Sequence, residues 1–379
     1  MITVFWLSIL LIFYIFIGYP LILFVLARFF PEKKNASTVV LKEIDFPSVE
    51  IILVVRNVAN IITNKIDSLL SLEYPKDKLK IIVISDHSED GTVEIIEKMG
   101  IANLRCVDNH FKSSKSACLN QAIKMSNAEI LFLTDARQQH DTLSLKQLVK
   151  HFSDDRVGAV SGELILMDSE TNDFAKGIDL YWRYEKMIRA NESKFSSVPG
   201  VTGAVYALRR EYFRPIPDET LLDDVLIPMN LVMDGKKVLF DSSALAYDVP
   251  SSDLTREKNR KTRTLAGNWQ LLELNPLLLN PFKNKIWFQF VSHKILRLFA
   301  PLFLALIFVI SLLLSHQLEY SLLFLLQVCA YSLAIASHFF PFLLNIPFVK
   351  PFKSFLTLMW FTVLGFWAFV TRRHLRLWK

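Results

Sequence analysis

Residues 3–29 are apolar and carry no charge until Arg28, a run longer than the roughly 20 residues a helix needs to cross a bilayer. It also exceeds a signal-peptide core, and no small-residue cleavage site precedes its basic flank, so it is expected to be a retained transmembrane helix. Gly18, Tyr19 and Pro20 are the place for a kink. Arg28, Lys33 and Lys34 come next, and basic flanks stay cytoplasmic, which puts the N-terminus outside and the middle of the chain in the cytosol. Apolar residues crowd again from 284 to 371, while the stretch between has ordinary globular content. Membrane segments therefore enclose a soluble domain large enough for a substantial core.

This organisation predicts a transmembrane helix over 1–30, a polar linker over 31–48, a cytosolic domain over 49–280, an amphipathic helix over 281–298 and about three spans within 299–379. The amphipathic segment sets Trp287, Phe290, Val291 and Ile295 beside Lys285, Lys294 and Arg297, the composition of a helix lying in the headgroup plane. Spans are expected near 299–314, 320–337 and 354–371. Four crossings from an outside N-terminus would leave Arg372, Arg373, Arg376 and Lys379 outside, against the positive-inside rule. Either the apolar patch 339–349 adds a crossing or one apparent span lies flat.

With 52% hydrophobic and 21% charged residues, the chain is too apolar for an ordinary soluble enzyme and too charged for a pure transporter. The three cysteines, Cys106, Cys118 and Cys329, have neither pairing nor metal-ligand spacing, as suits a reducing cytosolic face. The net charge of +6 comes from cations beside apolar segments. That placement suits anionic membrane lipids or a phosphorylated substrate, not nucleic acid.

From residue 49 the pattern alternates: strand 49–55, helix 60–72, strand 79–85, helix 92–99, a short strand near 103–108, helix 114–125 and strand 130–134. Strand 159–167, helix 174–193, a loop into a strand over 201–208 and a helix over 223–233 come after these. Repeated strand-helix-strand units imply an α/β fold with a mostly parallel sheet.

The polar residues at the strand ends are the candidates for chemistry. Strand 130–134 stops on Asp135 and Arg137, which flank Ala136 and point the same way on extended backbone. Two solvated charges at a turn are the competing reading. Asp86 ends a strand and suits a ribose or base edge, whereas Asp90 reads better as a turn residue. Lys115 opens a helix where a cation and free N–H groups attract phosphate; an exposed lysine there is as often merely solvated. Asp223 and Asp224 raise each other's pKa, which suits a general base, and equally they are first-turn helix acids. Arg260, Lys261 and Arg263 with Trp269 suit a diphosphate clamp or lipid headgroups.

In this order the positions resemble membrane-bound family 2 glycosyltransferases, the group that includes cellulose, hyaluronan and poly-N-acetylglucosamine synthases. The resemblance rests on Asp86, Asp90, Gly91 and Thr92 after a strand, Lys115 with Asn120, Asp135 at a strand end, Thr202, Gly203 and Ala204, Asp223 with Asp224, and Arg263 ahead of Gly267. It covers residues 49 to about 270, and the flanking helices match as well. It implies a GT-A fold and inverting transfer from a nucleotide-sugar, a UDP-sugar by preference, to a lipid-linked or polysaccharide acceptor at the cell membrane. It places Asn57, Asp86, Lys115, Asp135 and Arg137 on the donor, and Thr202, Gly203 and Trp269 on the acceptor. Asp224, with Asp223, becomes the general base, and Arg263 steadies the leaving diphosphate.

Three departures qualify this. The family's second acid, a metal ligand two residues after Asp135, is Arg137 here; Asn57 is followed by Val58 instead of Glu; and the Gln and Trp of the polymerising members' signature are absent around Arg263. The resemblance implies Mg²⁺ or Mn²⁺ on Asp135, and Arg137 instead offers a cation for phosphate without a metal. The alternatives are a catalytically silent membrane scaffold or partner subunit, and a transporter, for which the spans offer little beyond Gln327.

Overall fold

The computed structural model describes residues 1–32, 46–110, 113–167, 173–249 and 254–373. Most of the expected linker 31–48 and the basic tail beyond Arg373 lie outside those residues.

Strands β1 (Val49–Val55), β2 (Leu79–Asp86), β3 (Leu104–Asn109) and β4 (Ile130–Thr134) pair in parallel in the order β3-β2-β1-β4. Parallel neighbours need crossovers, supplied here by helices α1 (Ile62–Leu70), α2 (Thr92–Lys98) and α3 (Lys115–Met125). The strands read as unbroken apolar runs because both faces of the sheet are covered. Ile51, Leu53 and Val55 of β1 enter one core cluster and Ile52 and Val54 the other. Each such buried aliphatic side chain contributes roughly 1.5–3 kcal/mol.

Beyond β4 the sheet is mixed. β5 (Gln139–His140), β6 (Val157–Leu166), β7 (Tyr206–Arg209) and β8 (Lys237–Asp248) complete the order β4-β7-β6-β8-β5. β7 runs antiparallel to both β4 and β6, β6 and β8 are parallel, and β5 is antiparallel to β8. Parallel pairing thus dominates the N-terminal half alone. Neither β5 nor β8 stands out in the sequence. β5 has two residues, and β8 is broken by Asp241, Ser242 and Ser243 where its register with β6 slips between Ser161 and Glu163.

Among the described residues four helices are long and apolar enough to cross a membrane: Ile2–Phe29, Trp287–Leu313, Leu318–Phe339 and Val349–Val370. The first widens into a π turn over Tyr14–Gly18, where the kink is expected. Two expectations need correcting. No separate amphipathic helix ends at 298, since Trp287–Leu313 continues through a π turn over Phe290–Ile295. Nor does the domain end at 280, because Leu278, Ile286, Phe290 and Ile295 belong to the apolar cluster that holds Ile52, Leu119 and Met229. The patch 339–349 forms a 3₁₀ turn over Pro341–Asn345 and no further crossing.

Helix Val349–Val370 packs against helix Leu254–Leu274. The approach is so close that a Cβ on Gly365 would lie 2.6 Å from Leu265 Cβ and 3.1 Å from the Ala266 nitrogen. Just beyond it, Arg372 donates to both carboxylate oxygens of Glu273 at 2.8 Å each. Nearer its start, Phe355 meets the ring of Phe16 at 5.2 Å, and the Phe16 carbonyl accepts from Tyr184 of the domain at 2.8 Å. The later turns of this helix thus lie against the domain, and its earlier turns against the first membrane helix.

Candidate active site

A cavity of about 720 Å³ opens beyond the carboxyl ends of β1 and β4, where open α/β sheets bind ligands. Lys115 enters it from the first turn of α3, whose N-terminus is capped by Ser114 Oγ accepting the Ala117 N–H at 3.0 Å. Lys115 Nζ lies 3.0 Å from Asp135 Oδ1 and 3.2 Å from Asp223 Oδ2. One ammonium therefore joins the end of β4 to the start of helix α6 (Asp223–Met233), reached after α4 (Ser144–Val149) and α5 (Asp173–Phe195). The first turn of α6 is held in place by the Asp224 carbonyl, which accepts the Val201 N–H at 2.8 Å.

Gly203 lies between the acids. A Cβ there would stand 3.6 Å from Asp224 Oδ2 and 3.8 Å from Asp135 Oδ2, so the glycine keeps the space between them open. Thr202, Trp182 and Arg189 line the same cavity, as do Arg260 and Arg263 from helix α7 (Leu254–Leu274).

Asp224 and Asp135 sit in unequal fields. Burial, then the neighbouring Asp223, pushes the Asp224 carboxyl up to about 6, with Lys115 and Lys294 pulling it back. Burial works in the same direction on Asp135, but Lys115, Lys65 and Arg263 outweigh it and hold that carboxyl below its ordinary value. Burial would lower the Lys115 ammonium, yet Asp135, Asp223 and Asp224 overcome it and keep it charged. Asp224 thus offers a proton acceptor poised near neutrality beside a permanently charged cation.

Eight of the sequence-predicted residues line this one cavity: Lys115, Asp135, Arg137, Thr202, Gly203, Asp223, Asp224 and Arg263. Asp86 is fully buried in its wall, accepting from Ser113 Oγ at 3.0 Å and Asn109 Nδ2 at 3.2 Å; Ser113 is the residue that lines the cavity. Two candidates lie elsewhere. Asn57 Oδ1 accepts the Glu89 N–H at 2.9 Å and braces two loops. Trp269 lies six residues after Arg263 on a different face of α7, packed 5.2 Å from Phe299 and 5.1 Å from Phe366. Trp182 is the indole that faces the cavity. Asp90 is a turn residue, accepting N–H groups of Ala59 at 2.9 Å and Thr92 at 3.2 Å.

Lys65 escapes motif reasoning. It is completely buried, donates to Thr134 Oγ1 at 2.9 Å and the Gln138 carbonyl at 2.7 Å, and thereby fixes the chain on either side of Asp135 and Arg137. Burial brings its ammonium down to about 7 against the pull of Asp135 and Asp248. Its signal in the sequence is a lysine on the apolar face of a helix, among Ile62, Ile66 and Leu69.

A divalent cation needs several hard oxygen ligands. Among the described residues no three His, Cys, Asp or Glu side chains converge on one point. The Asp135 carboxylate is paired with Lys115, and Arg137 is held by Asp248 Oδ2 at 2.9 Å. Beside Asp135 the described residues thus offer the Lys115 ammonium and, two positions on, a guanidinium where a second acid would help to hold a divalent ion.

The family model described as "Glycosyl transferase family 2" matches residues 50–216, and "Glycosyl transferase family group 2" matches 134–370, more than half of the chain. The chain is 22% identical over 234 residues to "Probable glycosyltransferase YdaM" of Bacillus subtilis, covering 59% of this chain and 56% of that one. It is 24% identical over 195 residues to "Beta-monoglucosyldiacylglycerol synthase" of Trichormus variabilis, covering 50% and 42%. It thus spans about half the length of these curated relatives. Among solved structures, the mannosyltransferase PcManGT of Pyrobaculum calidifontis, in complex with GDP-Man and Mn²⁺, superimposes with a TM-score of 0.72 at 20% identity over 97% of this chain and 99% of that one.

Proposed function

Since this chain belongs to the family 2 glycosyltransferases, we propose that it transfers a sugar with inversion from a nucleotide-sugar, a UDP-sugar by preference, to a hydroxyl of a membrane-associated lipid or polysaccharide. The observation that carries this reading is Lys115 bridging Asp135 and Asp223 beside Asp224 in one cavity. Asp224 removes the acceptor hydroxyl's proton as its oxygen attacks the anomeric carbon, and the bond from that carbon to the diphosphate oxygen breaks on the opposite face. Lys115, Arg263 and Arg137 meet the charge that grows on the departing diphosphate, and Asp86, acting through Ser113, orders the nucleoside end. Thr202, Gly203 and Trp182 border the acceptor. Release of nucleotide diphosphate from UDP-, GDP- and TDP-sugars in native membranes tests the activity. No release with any donor, from folded protein with added lipids, overturns it in favour of a silent scaffold or partner subunit.

PcManGT was solved with Mn²⁺, yet the donor set around Asp135 leads to a different expectation here. Arg137 swings from Asp248 onto the diphosphate, so chelator is expected to leave most of the activity. Arg137→Ala should raise the donor KM about tenfold, the loss of roughly one charge-assisted contact. Activity that vanishes with chelator and returns fully with Mn²⁺ in Arg137→Ala would mean that the arginine does not replace a metal.

The packing of helix Val349–Val370 on helix Leu254–Leu274, with Arg372 paired to Glu273 beyond its end, supports a topology of three crossings, this helix lying along the cytosolic surface and the C-terminus inside. A cysteine placed at Arg373 should react with a membrane-impermeant maleimide in inside-out vesicles and stay unlabelled in intact cells; the reverse pattern restores the fourth crossing.

A further inference from the structure

Thr202 lines the cavity next to Gly203, and its polar groups can be followed one by one. Its N–H donates to Ser161 Oγ of β6 at 2.9 Å, and its carbonyl accepts the Val205 N–H at 2.9 Å. The residues on either side are held as well. The Val201 N–H donates to the Asp224 carbonyl at 2.8 Å, and the Ala204 carbonyl accepts from Thr134 Oγ1 at 2.9 Å. The turn is thus fixed between the base and the end of the strand that leads into Asp135, and the Thr202 hydroxyl is left to account for.

Arg189 reaches that hydroxyl from α5. Its guanidinium lies 4.9 Å over the Phe240 ring and donates to Thr202 Oγ1 at 2.6 Å and to Ser161 Oγ at 2.8 Å. One turn to either side along α5, Glu185 stands 2.9 Å from His293 Nε2 and Glu192 accepts from Tyr19 at 2.6 Å, so membrane helices steady the element that carries the arginine. A guanidinium has no acceptor, and both hydroxyls must therefore accept from it. Ser161 is then fully used, because it takes Arg189 and the Thr202 N–H and donates to the Gly162 carbonyl at 3.0 Å. Thr202 is not. Arg189 occupies one side of its oxygen, and among the described residues its own O–H proton is donated to no group. The place of a Cβ on the adjoining Gly203 is 3.6 Å from Asp224 Oδ2, which puts this unspent donor beside the base.

We propose that the Thr202 hydroxyl determines acceptor specificity and that Arg189 is its positioning residue: the arginine commits the Thr202 oxygen as an acceptor, so that its O–H is offered to a second oxygen of the acceptor substrate, next to the hydroxyl that Asp224 deprotonates. The proposal deepens the transferase reading and rests on it. A donor aimed at the attacking oxygen itself would occupy the lone pair that has to form the new bond, so the atom recognised is a neighbouring one. A site that spends a hydrogen bond in this way rejects an analogue that lacks the matching oxygen. The acceptor class is therefore one with oxygens on adjacent carbons, as in a sugar ring or a glycerol, and not an isolated alcohol. Without Arg189 the Thr202 hydroxyl rotates and presents a lone pair as readily as a proton.

The test uses the full chain in native membranes, whose own material supplies the acceptor, and the nucleotide-sugar that the donor panel identifies, labelled in its sugar. Label fixed in membrane material measures transfer, and free sugar measures loss to water. Thr202→Val is expected to cut transfer about tenfold, the loss of roughly one hydrogen bond, and to raise the ratio of free to transferred sugar by a similar factor. Thr202→Ser, which keeps the O–H, should restore most of the transfer. Arg189→Met should resemble Thr202→Val, and the double variant should be no worse than either single one, because both changes remove the same donated bond. Mass spectrometry of the wild-type product should find the new linkage beside an oxygen-bearing carbon. Wild-type transfer in Thr202→Val overturns the proposal, as do losses that multiply in the double variant or a product linked through an isolated alcohol. Wild-type membranes that cleave no donor bring down the transferase reading and this proposal with it, whereas wild-type transfer with unaffected variants brings down the proposal alone.

Discussion

Replacing Asp224 by Asn is expected to lower the transfer rate by about a hundred- to ten-thousandfold, the range that a positioned general base contributes, with little change in donor binding. The proposed donor contacts are Lys115, Arg263 and Arg137 of the same cavity, and Asn keeps the shape of the side chain. The variant should also stay folded. Burial and Asp223 lift the Asp224 carboxyl to about 6, so the fold carries its charged form at a cost that the neutral amide relieves. The same elevation sets the wild-type profile: the base must be ionised, so activity should climb with pH through about 6 and level off above it. Nucleotide diphosphate release in wild type and Asp224→Asn, alongside thermal melting, checks both halves. A mutant with wild-type turnover would remove Asp224 from the chemistry.

Lys115→Met comes second, with an effect on both binding and rate. The ammonium lies between Asp135 and Asp223 at 3.0 and 3.2 Å, and without it three acids face one another across the cavity that the diphosphate must enter. Removing one such preorganised donor costs about a hundred- to a thousandfold in rate, and repulsion between carboxylate and phosphate should raise the donor KM as well. Because Lys115 also draws the Asp224 carboxyl down, its loss should shift the acid limb to higher pH. Lys115→Arg should restore part of the binding and little of the rate, since a planar fork does not reproduce a point charge held between two acids. A methionine variant with an unchanged donor KM would place the diphosphate elsewhere.

Much of this site was legible from residues at element ends. β1 and β4 announce themselves because both faces are buried, and their unbroken apolar runs stop where polar side chains begin. Lys115, Asp135 and the pair Asp223 and Asp224 each sit at an end of an element, so local pattern locates them even though Lys115 reaches across more than a hundred residues of sequence to Asp223. Trp269 failed for a rotational reason: its distance along α7 from Arg263 turns it toward Phe299 and Phe366. Asn57 failed because its amide is spent on the neighbouring loop. Lys65 was hidden by context: it sits among isoleucines on a core-facing stripe, and only the tertiary fold brings it to Thr134 and Gln138 on either side of Asp135.

The apolar cluster shared by Ile286, Phe290 and Ile295 with Leu119 and Met229 means that this chain has no seam between its catalytic unit and its anchor. Shortening it to a water-soluble fragment would unroof that core. Chimaeras that borrow another protein's membrane region should therefore keep residues 278–297 with the sheet.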